Sequence, residues 1–214
     1  MTSKIALLGL LVILLSHCTT TKQNTKKTAI NVFNRDVEQV KEEDKFVYRL
    51  SEKEGAGIVW FTTIEFEEGT IEFDVKGRDV LQKSFVGIAF HGINDSTYET
   101  VYFRPFNFQS TDPIRHIHAV QYAFEPGYNF EKLRKTRKDE FESAILPANT
   151  IPTDWFHVKV EVIGNRIRVF VNGHSEPALN VMTLNPNPKG RKLGYWVGNN
   201  SNGDFANLKI LNRN

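Results

Sequence analysis

The chain of 214 residues has one cysteine, Cys18, and two methionines. A lone thiol leaves no internal disulfide, so any core must be held by packing. The sequence has no Cys-x-x-Cys pair, no glycine-rich phosphate loop and no nucleophile elbow, which removes the usual marks of redox, nucleotide and serine-hydrolase chemistry. Neither sign of charge is in excess, with 27 Lys and Arg against 25 Asp and Glu. The formal net charge is +2, and residues 1–29 supply Lys4, Lys22, Lys26 and Lys27 with no acid. Setting those four aside leaves −2, which is no clustered basic surface for phosphates, so nucleic acid is not an expected partner. Apolar runs are short too. Ile5 to Leu15 is the clearest, too short to span a bilayer comfortably and of a length that suits a secretory h-region.

What the chain does have is large apolar side chains: 16 Phe, 6 Tyr and 3 Trp. Its most regular stretch runs from Trp155 to Gly173. Phe156, Val158, Val160 and Val162 alternate with His157, Lys159 and Glu161; after Gly164-Asn165 the alternation resumes at Ile167, Val169 and Val171. Two period-two runs across so short a polar break predict a hairpin with one buried face. Further strands are predicted at 46–50, 57–66, 70–76, 85–90, 98–106, 116–124, 177–184, 194–197 and 205–211, with turn residues between them. Residues 128–145 mix charged and apolar residues irregularly and are expected to form a long excursion with one short helix at a sheet edge. A dozen short strands and scarcely any helical pattern predict an all-β fold, an antiparallel two-sheet β-sandwich.

Two resemblances follow from these residues. Leu15-Ser16-His17-Cys18 resembles a bacterial lipobox, with His17 where a small residue is usual. The resemblance implies a signal peptide over 1–18, lipidation of Cys18, a flexible tether over 19–29 and a domain over 30–214 held at the envelope membrane, outside the cytoplasm. The second lies in Trp155 to Val160, Arg168 to Gly173, Pro177-Ala178-Leu179, Leu193 to Gly198 and Gly203 to Leu208. That order resembles the concanavalin A-like lectin/glucanase jelly rolls, in particular laminin-G-like domains and the bacterial 3-keto-disaccharide hydrolase family domain. It implies a carbohydrate partner, and places Trp155 and Trp196 in the structural frame. It also admits a glycoside hydrolase or polysaccharide lyase, and a non-catalytic envelope interaction protein.

Glu72-Phe73-Asp74-Val75 begins the three-carboxylate strand of laminarinase-type hydrolases, but Lys76-Gly77-Arg78 stands where the third acid belongs. Retaining hydrolysis needs two carboxyls across the bond, so Glu72 and Asp74 are expected on an ordinary solvent face. Sugar sites need rings that stack and planar polar groups that meet hydroxyls. The densest supply is 98–122. Period two puts Tyr98, Tyr102 and Arg104 on one face, and His91 ends the strand before. Either His118 or Gln121 joins them, according to which face of the next strand is shared. These six are the candidate ligand-binding residues. No cofactor is expected. His116-x-His118 has no third ligand within its strand, so no metal is assigned there, and the oxygen-rich Asn199–Asp204 loop leaves calcium open.

Overall fold

The computed structural model describes residues 29–42 and 44–213; the expected signal peptide, Cys18 and all but the last residue of the expected tether lie outside the described residues. Fourteen strands form two seven-stranded antiparallel sheets. The first sheet runs β1 (Ile30–Phe33), β4 (Gly57–Glu65), β13 (Lys192–Val197), β6 (Val86–Asn94), β7 (Thr97–Phe103), β8 (Val120–Glu125) and β9 (Glu142–Ser143). The second runs β12 (Leu179–Met182), β11 (Arg166–Val171), β10 (Phe156–Ile163), β5 (Gly69–Lys76), β14 (Gly203–Asn212), β3 (Lys45–Leu50) and β2 (Val37–Glu42). Among the described residues no helix is long and apolar enough to cross a membrane.

The predicted hairpin is β10–β11, paired from Val158↔Val171 to Ile163↔Arg166. Its buried face meets β5 through Val158↔Phe73 and Val160↔Ile71, and these side chains are fully buried. Across the sandwich, Tyr195 of β13 stacks on Phe205 of β14 at 4.7 Å and 20° between planes, and meets Phe73 and Tyr48 from the same sheet. Phe103 meets Phe156 at 5.2 Å. Aromatic pairs of this geometry add to the burial of their area, and the interior is a ring-rich layer between two sheets.

One predicted strand starts later than expected. Residues 116–118 are not strand. Asp112 accepts hydrogen bonds from the Ile114 and Arg115 amides and starts a short helix, α1 (Pro113–His116), so β8 begins only at Val120. A proline at the first helical position and a preceding Asp are the local reason. Residues 128–145 do carry one short helix, α2 (Phe130–Thr136), capped by Asn129, and then the two-residue β9 at the edge of the first sheet. Trp155 is not in the core either. It lies half-buried beneath Lys45, 4.7 Å from its ring centroid.

Phe205→Ala removes a fully buried ring from this interior. It is expected to lower the free energy of unfolding by about 3–5 kcal/mol, read from urea titration with an unchanged m-value.

Candidate functional site

Tyr195 and Phe103 face the second sheet, so their neighbours Trp196 and Tyr102 face outward. Register then defines the outer face of the first sheet. One row crosses it as Ile58, Trp196, Gly87, Tyr102, Gln121 and Glu142. The next reads Trp60, Gly194, Ala89, Thr100 and Ala123. A third pair, Tyr98 and Glu125, follows. The second row is a floor of small residues with rings on either side. Gly87 is required where Trp196 and Tyr102 flank it, because a Cβ there falls 2.6 Å from the Tyr102 Cα and 2.1 Å from the Val101 carbonyl.

The rings form a continuous strip. Tyr102 and Trp196 are 5.0 Å apart, the Trp196 Nε1–H donates to the Tyr98 hydroxyl at 3.1 Å, and Trp60 meets Tyr98 edge-on at 6.1 Å. At the Trp60 end its Nε1–H donates to Asp95 at 2.8 Å. At the Tyr102 end lies a polar cluster. Arg104 donates to Glu142 at 3.0 Å, to the His118 carbonyl at 2.9 Å, to the Tyr102 hydroxyl at 2.9 Å and to the Gln121 side-chain oxygen. The Tyr102 hydroxyl donates to the same Gln121 oxygen at 2.7 Å. Arg134, from α2, grips Glu142 with two hydrogen bonds of 2.9 Å. The His118 ring lies 3.5 Å from Glu142 and 3.5 Å from Asp139.

The structure thus brings Tyr98, Tyr102, Arg104 and Gln121 onto one face, with His118 at the margin through Glu142. His91 is elsewhere. A bulge after Phe90 and a φ of 50° at His91 turn its ring inward. There Nδ1 meets Glu99 at 2.6 Å and Nε2 donates to the Glu67 carbonyl at 2.6 Å. Glu99 also accepts from Tyr122, Thr183 and Asn185, which fastens the β12–β13 crossover to the first sheet. The sequence reading missed Trp196, Trp60 and Glu142 as members of the face. Gly194-Tyr195-Trp196 offered two adjacent rings, of which a strand buries only one, and that was the available signal for Trp196. All the rings on this face, with Arg104 and Gln121, are less than a tenth exposed, so the face is closed.

Electrostatics follow from that closure. Burial pushes Tyr102 up to about 12, against the pull of the Arg104 charge, and Tyr98 also to about 12. Both stay neutral donors at pH 7. Burial lowers His118, against the pull of Glu142, which keeps its ring neutral. Burial lifts Glu125, which faces the strip opposite Tyr98. Burial alone would lift Glu142 as well, but the Arg134 hydrogen bonds and the charges of Arg104 and Arg134 outweigh it and hold the carboxyl below its usual range.

The other candidates resolve simply. Asp74 and Glu72 lie on the outer face of the second sheet, the opposite side of the sandwich; Asp74 is bound by Lys45, His157 and Asn207, and Glu72 by Lys209. Among the described residues no three metal-ligating side chains converge. In the oxygen-rich loop, Asn199 accepts from the Gly55 amide and Asp204 pairs with Arg49. A surface depression of about 310 Å³ lies away from the aromatic strip, between Glu65, Glu67, Glu68, Arg191 and Arg213. Its charges are paired across it, Arg191 with Glu67 and Arg213 with Glu68.

No family model matches the chain, and no curated protein matches it in sequence. Solved structures do match in fold. A carbohydrate binding module, CBM66, from Bacillus subtilis is 13% identical over 85% of this chain and 94% of that one, with a TM-score of 0.56. The VIP36 exoplasmic/lumenal domain in a Ca2+/Man3GlcNAc-bound form is 10% identical over 85% of this chain and 84% of that one, at 0.55. A beta-1,3-glucanase from Mycobacterium marinum is 10% identical over 87% and 92%, at 0.50. At these identities the likeness is one of fold. The chain is an antiparallel sandwich of the concanavalin A-like jelly-roll type.

Glu142→Gln leaves Arg104 buried without its counter-ion and is expected to cost about 3 kcal/mol at pH 7. Because the folded carboxyl titrates below its ordinary value of 4.5, its contribution is present above that pH and is lost as pH falls through the folded value. The gap between wild type and variant in urea unfolding should therefore narrow from pH 7 to pH 3.

Proposed function

We propose that this protein is a carbohydrate-binding jelly roll, anchored by lipid at Cys18 outside the cytoplasm, and that the outer face of the first sheet takes the glycan. The observation that carries the reading is the strip Tyr102–Trp196–Tyr98–Trp60 over a floor of Gly194, Ala89, Thr100 and Ala123. Rings over small residues give a sugar flat apolar surfaces to stack on, and the planar groups at the Tyr102 end supply its hydroxyls with partners. The fold likeness to a carbohydrate binding module and to the VIP36 exoplasmic/lumenal domain in its Ca2+/Man3GlcNAc-bound form supports it.

Binding without cleavage fits the site better than hydrolysis. The outward residues of β8 are Gln121, Ala123 and Glu125, so one carboxyl stands where a hydrolase strand carries several. The second carboxyl of the face, Glu142, is in register with Gln121. Four strand residues separate it from Glu125, about 13 Å at 3.3 Å per residue, beyond both the retaining and the inverting separations. Tyr102, held neutral, is a donor and a poor general base. The closed face means that glycan enters an opened state, and the apparent affinity is scaled by the open fraction. The same closure supports one other reading, a non-catalytic envelope interaction protein whose outer face is packed for stability.

On an array of plant, algal and host polysaccharides, wild type is expected to be retained with no new reducing ends or unsaturated sugars released. Trp196→Ala should weaken retention at least about tenfold, or 1.4 kcal/mol, while Glu72→Gln leaves it unchanged. Released products would overturn the binding module in favour of an enzyme. Silence on every glycan would favour the interaction protein. Independently, Cys18→Ala is expected to move the protein from the membrane to the soluble fraction and to abolish its labelling by radioactive palmitate in a bacterial host.

A further inference from the structure

The Tyr102 end of the face has an imbalance that its own residues leave open. Two guanidiniums, Arg104 and Arg134, share one carboxylate, Glu142. A third, Arg115, is joined to them through neutral groups: it donates to the Phe106 carbonyl and to the Asn107 side-chain oxygen, while the Asn107 amide donates to the same His118 carbonyl that Arg104 reaches. The remaining acid, Asp139, meets the neutral His118 ring and its side chain is 41% exposed, so water screens it. At this end three guanidiniums thus stand against Glu142 and Asp139, with Glu125 farther along the strip and Arg104 itself only 4% exposed.

Gln121 adds a second, independent observation. Its side-chain oxygen is fixed by Arg104 and Tyr102, which settles the orientation of the amide. Its Nε2 is then a donor with no partner, in a residue that is 0% exposed. A buried donor left unmade costs the full desolvation of the group; Arg104 is paired, but it shares its one carboxylate with Arg134. One anionic acceptor placed here would meet the free amide and offset the excess of guanidiniums together. A sugar hydroxyl satisfies the amide and leaves the charge; a carboxylate, acceptor-only and planar, satisfies both and suits guanidinium geometry.

From this geometry, and resting on the carbohydrate reading above, we infer that the protein recognises acidic glycans, the carboxylate of a uronic acid residue occupying the Gln121–Arg104 end while the rings carry the neighbouring sugars. Arg134, whose side chain is 38% exposed, marks the side from which the carboxylate arrives.

The test measures affinity of the full chain for polygalacturonate, alginate and a glucuronate polymer at 0.15 M salt. Each is compared with its carboxyl-reduced counterpart, beside neutral glucans and fructans and a sulfated galactan. The expected result is at least about tenfold tighter binding of one polyuronate over its reduced form, lost in Gln121→Glu. That variant keeps an oxygen for Arg104 and Tyr102 but replaces the free donor by a negative charge; if it does not fold, as judged by its melting curve, Arg134→Gln gives the same readout. Equal binding of a polymer before and after reduction, or of neutral glycans alone, overturns the inference and leaves the carbohydrate reading standing. Tighter binding of the sulfated polymer overturns the carboxylate assignment. Polyuronate binding that Gln121→Glu and Arg134→Gln both leave unchanged marks unspecific charge attraction and also overturns it. Silence on all the polymers overturns both readings.

Discussion

Glu142 is the carboxylate on which the candidate face depends. It sits on a strand of two residues, too short to hold its place by ladder hydrogen bonds alone, and is fixed by guanidiniums from two separate elements: Arg104 beside the end of β7 and Arg134 from α2. That group joins the β8–β9 backbone pairing and the buried Leu133 and Phe141 in fastening the long 128–142 excursion to β7 and β8. Tyr102 and Gln121 are then aligned by the same Arg104 that holds Glu142. Breaking a buried pair of this kind is far more costly than never having built it, because the surviving charge stays in a poorly hydrated place. The face and the excursion are therefore coupled through one carboxylate.

The surfaces of the sandwich differ in kind. The inner faces of both sheets are ring-rich and are joined by Tyr195, Phe205, Phe103 and Phe156. The outer face of the second sheet is a ladder of paired charges over which Lys45, Lys159 and Arg168 extend, an ordinary solvated surface. The outer face of the first sheet resembles neither. It is apolar along its strip, polar at one end, and closed. A second interior cluster, Glu99 with His91, Tyr122, Thr183 and Asn185, holds the crossover that returns the chain from β12 to β13. Trp196 is delivered to the face by that return.

Much of this was legible in the residues, for reasons specific to each stretch. Val158, Val160 and Val162 alternate with charged residues because β10 has one wet face, and alternation is what a sequence displays best. The first sheet hides its pattern because it is buried on both faces: Val86 to Gly92 is buried throughout, and a continuous apolar run does not say which side is which. For the same reason Tyr195 and Trp196 could not be told apart as inner and outer rings. Tyr102, Arg104 and Gln121 converge as their spacing suggested, whereas His91 does not, since a bulge redirects it and nothing in Phe90-His91-Gly92 announces one. His116-Ile117-His118 alternates like a strand but follows Asp112-Pro113, and the cap decided the outcome. Glu142 was illegible, because its partners arrive from 38 and 8 residues away.

The outermost strands have a consequence of their own. On the first sheet they are β1, with four residues, and β9, with two; on the second they are β12, with four, and the six-residue β2, whose Glu38, Lys41 and Glu42 set charges along it. Such short or charged borders give a second chain little backbone to pair with. Copies crowded at high local density are therefore poorly disposed to fuse edge to edge into ribbons, and a partner has to be met through a sheet face or a loop. The sandwich can be concentrated on a surface and still present itself one molecule at a time.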